Sequence, residues 1–171
     1  MNRNLKKLLF AIVAVATAAS LTACGSEDPK TSRVSGQWSL AASGEVPAAT
    51  WKITPTCASG PCDFKVDFGL GQPKVTYKYD SASGTYTNKN SDSTDCLLPD
   101  GKTGAKDGIT VSSVNVFTPT DAEKQNGAAV ATRATVKSTM KTTTSASAKK
   151  AGCPSGDSSQ STSQTATLAD K

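Results

Sequence analysis

From Val34 onward several segments of this chain alternate apolar and polar residues with period two, and no long stretch sustains a helical period. Successive side chains of a strand point to opposite faces, so period two marks half-buried strands. Gln37-Trp38-Ser39-Leu40 and Trp51-Lys52-Ile53-Thr54 follow the pattern, as do Phe64-Lys65-Val66-Asp67-Phe68 and Val75-Thr76-Tyr77-Lys78-Tyr79. Asp80-Ser81-Ala82-Ser83-Gly84 is a turn, after which Thr85-Tyr86-Thr87 resumes an extended path. The predicted core comprises Trp38, Trp51, Ile53, Phe64, Val66, Phe68, Val75, Tyr77 and Ile109. Seven or eight short strands between frequent turns predict an all-β domain, a small antiparallel sandwich or partly open barrel.

The second half is less regular. Pro99, Asp100, Gly101, Gly104 and Gly108 predict a loop, and Ile109–Phe117 a strand whose apolar phase slips. That slip predicts a bulge near Ser112-Ser113. Thr120-Asp121-Ala122-Glu123 has capping-box spacing and predicts one helical turn. Residues 128–140 extend again, with Val130, Ala134, Val136 and Met140 on one parity. Residues 141–152 read as a polar loop, and Gln164–Leu168 as a short last strand.

The N-terminus has its own logic. A basic head containing Arg3, Lys6 and Lys7 precedes the apolar run from Leu8 to Ala18, followed by small residues. This is the three-part pattern of a secretory signal. The run falls short of the roughly 20 apolar residues a membrane span needs. Leu21-Thr22-Ala23-Cys24 matches the bacterial lipobox, and residues 1–24 resemble bacterial lipoprotein precursors. The resemblance implies removal of residues 1–23, a diacylglyceryl thioether on Cys24, and anchoring to the extracytoplasmic face of the cell membrane. Two or more acyl chains give stable anchoring where one does not. The small, polar residues 24–33 predict a flexible tether, and residues 34–171 a single extracytoplasmic domain.

With Cys24 assigned to the lipid, Cys57, Cys62, Cys96 and Cys153 remain, an even number in an exported chain. They predict two disulfides, with three possible pairings. The Gly60-Pro61 turn favours closing Cys57 onto Cys62, leaving Cys96 with Cys153. On the chain-entropy model the small loop contributes about 2 kcal/mol and the large one about 4 kcal/mol. A zinc site is disfavoured, since no CxxC is present and the compartment is oxidising. The run from Trp51 to Cys62 also resembles the opening of small extracytoplasmic β domains in actinobacteria, found in lipoproteins and in ectodomains of membrane serine/threonine kinases. In those a Trp-bearing strand leads into a Cys-x4-Cys turn, and a later Cys pair brackets a long hairpin. The resemblance implies a β fold and the same pairing, and it implies no enzymatic activity.

The chain has 19 Lys and Arg against 14 Asp and Glu and no His. Loss of the signal leaves 16 basic residues and a net charge of +2, which does not suit nucleic-acid binding. The absence of His excludes His-dependent triads and His metal sites. Asp63 and Asp67 read as outward-facing charges beside Lys65. Asp92, Asp95 and Asp100 fit no EF-hand spacing. Lys137, Lys141, Lys149 and Lys150 read as a solvated basic face, and Trp38 and Trp51 as core. No catalytic residues, cofactor or metal are expected. The expected function is a non-catalytic binding or interaction module of the cell envelope, with an envelope protein or wall polymer as partner. The rival readings are a small-molecule or lipid carrier and a protease-inhibitor-like module acting through the turn at 58–61.

Overall fold

The structure, a computed structural model, describes residues 27–69 and 71–169. The signal segment, Cys24 and the two residues after it lie outside the described residues. Eight strands follow one another: β1 (Gly36–Leu40), β2 (Ala49–Pro55), β3 (Phe64–Asp67), β4 (Val75–Asp80), β5 (Thr85–Leu97), β6 (Thr103–Gln125), β7 (Ala128–Thr144) and β8 (Ser158–Leu168). A short helix, α1 (Ala146–Lys150), interrupts the last connection. Each strand pairs antiparallel with the next and β8 returns to β1, closing an up-and-down barrel.

The barrel interior is filled, as expected of a small eight-stranded barrel. Trp38, Phe64, Tyr77, Tyr86 and Phe117 are buried at its centre, with Leu40, Trp51, Ile53, Val66, Val136 and Leu168 around them. The Trp38 indole N–H donates to the Ser35 carbonyl at 3.0 Å, so burying the ring strands no donor. Of the expected core, Phe68 is instead 38% exposed at the barrel rim, and Ile109 belongs to a separate cluster. Tyr86 and Phe117 complete the core. Burial pushes the Tyr77 and Tyr86 hydroxyls well above the ordinary phenol range. Both therefore favour the folded state below the ordinary phenol value. That contribution is lost as pH rises through their folded values, because the unfolded chain ionises first.

The two halves of the barrel differ in length. β1 to β4 span four to seven residues, whereas β6 runs for 23, about 75 Å of extended chain. β5, β6, β7 and β8 leave the barrel together as a four-stranded sheet. At one fork the β4–β5 ladder ends at Lys78 opposite Thr87, and the Asn88 amide donates to the Thr76 carbonyl at 2.9 Å. At the other, the Gln164 amide donates to the carbonyls of Ala41 and Pro47 at 2.9 and 3.1 Å. Each amide satisfies carbonyls where the short strands turn away.

Several expectations for the second half are corrected here. Residues 103–108 are strand, not loop. Gly104 and Gly108 serve close packing: an added Cβ would lie 2.8 Å from Leu98 and 2.9 Å from Ala148, respectively. No bulge falls at Ser112-Ser113. The irregularities lie between Thr94 and Leu97 and between Pro119 and Ala122. The second of these occupies the expected helical turn at Thr120–Glu123, which continues β6 to Gln125. Capping chemistry loses there to a ladder that pairs Ala122 with Ala131 and Glu123 with Val130. Residues 141–144 continue β7, and β8 begins six residues earlier than expected, at Ser158.

The far tip has its own small core of Cys96, Ala148 and Cys153, with Leu98, Ala105 and Ile109 packed against it. Asp157 ties this tip together. It accepts from the Thr144 N–H at 2.7 Å and pairs with Lys149 at 2.6 Å. The Lys149 ammonium and that N–H hold its carboxyl below the usual carboxylate range.

The expected tether is partly folded. Asp28 caps a 3-10 turn at Pro29–Thr31, and Ser32 and Val34 are buried. The backbone of Arg33 bridges to Val130. Gly84, at φ +69°, passes so close to Lys30 that a Cβ there would sit 2.5 Å from the Lys30 Cβ. Gly84→Ala is therefore expected to displace the N-terminal segment and cost about 1–3 kcal/mol. Urea unfolding and amide exchange at residues 29–34 check this.

Candidate functional site

Chain direction sorts the loops to two ends. The N-terminal segment, the disulfide loop at 56–63, the turn at 81–84 and the Asn126-Gly127 turn gather at one end. Arg33 donates to the carbonyls of Ala58 and Cys57, at 2.8 and 3.3 Å, and the Tyr79 hydroxyl donates to the Lys30 carbonyl. The 41–48 loop, Phe68, Gly69, residues 71–74 and the four-stranded extension form the opposite end.

The inner face of that extension follows from strand parity. Tyr86, Phe117, Val136 and Gln164 lie side by side as the last row of the barrel interior. Two residues further along every strand, the same face shows Asn88, Asn115, Ser138 and Thr162. The next row is Asn90, Ser113, Met140 and Gln160. The face thus changes from aromatic to amide and hydroxyl within one step, and no charge appears in either row. The first charge is Asp92, in the third row. On the outer face of the same strands stand Lys89, Lys137 and Lys141.

Ser138 donates to the Asn115 amide oxygen across the first row. Asn90 donates to Asp92 at 3.1 Å. The Phe68 ring stands at the mouth, edge-on to Trp51 with centroids 5.4 Å apart. A hollow of about 350 Å³ opens there between Phe68, Val75, Asn88, Asn90, Ser113 and Asn115, with Lys89 also on its lining. Two larger hollows, of about 530 and 570 Å³, lie at the two forks.

The cysteines pair as expected, Cys57 with Cys62 and Cys96 with Cys153. The small loop braces the N-terminal end, and the large one closes the tip. Loss of the Cys57–Cys62 bond is expected to cost about 2 kcal/mol, checked by urea unfolding of the Cys57→Ala/Cys62→Ala variant. The turn at 58–61, proposed for protease contact, sits beside Arg33 at the N-terminal end.

The carboxylates examined in the sequence have local partners. Asp63 accepts from Lys78 and from the Tyr79 N–H, both at 2.8 Å. Asp67 faces Lys74 at 3.7 Å. Asp95 accepts from the Asp107 N–H, and Asp100 pairs with Lys102. The structure does not bring Asp92, Asp95 and Asp100 onto one centre.

The Lys78 ammonium and the Tyr79 N–H hold the Asp63 carboxyl below the usual carboxylate range. Its stabilising contribution is full above the unfolded value of 3.8 and is lost as pH falls through the lower folded value. Asp63→Asn is expected to flatten the acid limb of the stability–pH profile below about pH 5, measured by urea midpoints across pH 2–7. An unchanged limb would mean that Asp63 is not depressed.

Sequence reasoning missed the amide rows, because Asn88, Asn90 and Gln160 sit in runs without apolar alternation and Ser113 lies where the alternation of Ile109–Phe117 slips. Their common face was detectable only by carrying the parity of Tyr86 and Phe117 outward. No protein-family model, curated protein or solved structure matches the chain.

Proposed function

We propose that the chain is a bacterial lipoprotein, held on the extracytoplasmic face of the cell membrane through an acylated Cys24, and that its β domain is a non-catalytic binding module of the cell envelope. One observation carries the reading: the N-terminal segment docks at one end of the barrel, and the trough of amide rows rises from the other. A lipid at Cys24 would leave the trough facing away from the membrane. Only a few residues separate Cys24 from the docked turn at Pro29, so the barrel would stand within about 20 Å of the head groups. The partner is an envelope protein or a wall polymer. The packed barrel leaves the carrier reading without a lumen among the described residues.

The lipobox supports the anchor independently of the fold. The full chain is expected to partition into the detergent phase, with a mass increment on the Cys24 peptide. Cys24→Ala is expected to move the protein to the aqueous phase. Crosslinking on living cells, with Cys24→Ala as control, tests the binding role. A specific hydrolytic activity abolished by one side-chain substitution would overturn the non-catalytic reading.

A further inference from the structure

We infer that the first two rows of the trough, with the Phe68 ring at their mouth, form a binding site for a neutral oligosaccharide. The inference rests on the binding-module reading and names its ligand class.

Charge distribution is the first argument. The eight positions in the two rows hold amides, hydroxyls and one methionine, while the reverse face of the same strands carries Lys89, Lys137 and Lys141. Within the eight row positions a charged ligand would find no ion-pair partner; the charges bordering them are Asp92, which accepts from Asn90 at 3.1 Å, and Lys89 at the edge of the hollow. An apolar ligand would strip water from Asn90, Ser113 and Gln160 without replacing their hydrogen bonds, an unfavourable exchange. A sugar hydroxyl both donates and accepts, as the carboxamides of Asn90, Asn115 and Gln160 do.

The second argument is shape. The rows form the inward-facing side of a sheet that continues a closed barrel, and adjacent rows are about 7 Å apart along the strands. Four strands make the trough about 14 Å wide, enough for one saccharide chain laid along it. Phe68 supplies the third argument. Its ring is 38% exposed, yet the edge-on Trp51 contact holds it in place. It offers an apolar plate to the C–H face of a pyranose beside a hydrogen-bonding floor.

The test uses the full chain extracted in a sugar-free detergent, titrated with neutral hexasaccharides of α-1,4-glucose, β-1,4-glucose, β-1,4-N-acetylglucosamine and α-1,6-mannose, and followed by backbone amide shifts. At least one probe is expected to give saturable shifts centred on Asn90, Ser113, Asn115 and Met140. Asn90→Ala and Phe68→Ala are each expected to weaken that probe by about ten-fold. Lys141→Ala, on the outer face, is expected to leave it unchanged. Asn90 is exposed, so its truncation leaves the barrel intact, and an unchanged amide spectrum elsewhere verifies the fold. The inference is overturned if no probe gives saturable shifts, if the shifts centre on the outer face, or if only a glucuronate-containing oligosaccharide binds. Crosslinking to a protein partner in cells, with the titrations silent, would overturn this inference while leaving the binding-module reading standing.

Discussion

Truncating Phe64 to alanine is expected to lower the stability of the barrel by about 3–5 kcal/mol, enough to lower the thermal midpoint by roughly 10 °C. Phe64 is fully buried and makes contacts with three other rings of the interior. It stacks on Tyr77 with centroids 5.1 Å apart, and contacts Tyr86 at 4.7 Å and Phe117 at 5.5 Å. Aromatic pairs contribute about 0.5–1.5 kcal/mol beyond the area they bury, and this residue takes part in three. Its neighbours come from β4, β5 and β6, all fixed by ladders, so the barrel has little freedom to collapse onto the space left. Urea unfolding should show a lower midpoint at unchanged slope. A loss below about 1.5 kcal/mol would mean that the ring cluster repacks around the gap.

Breaking the Cys96–Cys153 bond by Cys96→Ala/Cys153→Ala is expected to cost about 4 kcal/mol, since the bond closes a loop spanning 57 positions. The loss should also be uneven. The tip core and the barrel core are separate clusters, joined by sheet whose inner face is polar. Once the bond is gone, the tip is held by Ala148 against Gly108, by the contacts of Asp157 and by the strand ladders. Amide exchange should therefore speed up first in residues 103–109 and 146–153, while the amides of β1 to β4 remain protected until global unfolding. Unchanged protection at the tip would show that helix docking alone secures it.

The short strands were legible because each has one wet and one dry face. Trp38 and Leu40, Trp51 and Ile53, and Phe64 and Val66 alternate with polar residues because the barrel wall separates core from water. The same rule failed for the outer part of β5 and the first half of β8, where both faces are wet. Asn-Lys-Asn-Ser-Asp in β5 and Ser-Ser-Gln-Ser-Thr-Ser in β8 carry no apolar period, so neither gives a strand signal. Their extended form rests on backbone ladders to β6 and β7 and on the small core at the tip, which are long-range features. The glycines at 104 and 108 misled for a related reason. Glycine commonly marks a turn, and here it makes room for Ala148 and the Cys96–Cys153 bond. The candidate site was the least legible part, since a row of four residues drawn from four strands leaves no spacing to find along the chain.

The sequence by itself determined the all-β class, the core residues of the short strands and an even cysteine count that pairs into two disulfides, because alternation, turn residues and cysteine number are local properties. Only the tertiary structure decided closure into a barrel, the lengths of β5 to β8, the docking of residues 29–34, and the gathering of Asn88, Asn90, Ser113 and Asn115 onto one face. Those depend on register between distant strands, and register is set by the summed fit of many pairings rather than by any short run of residues.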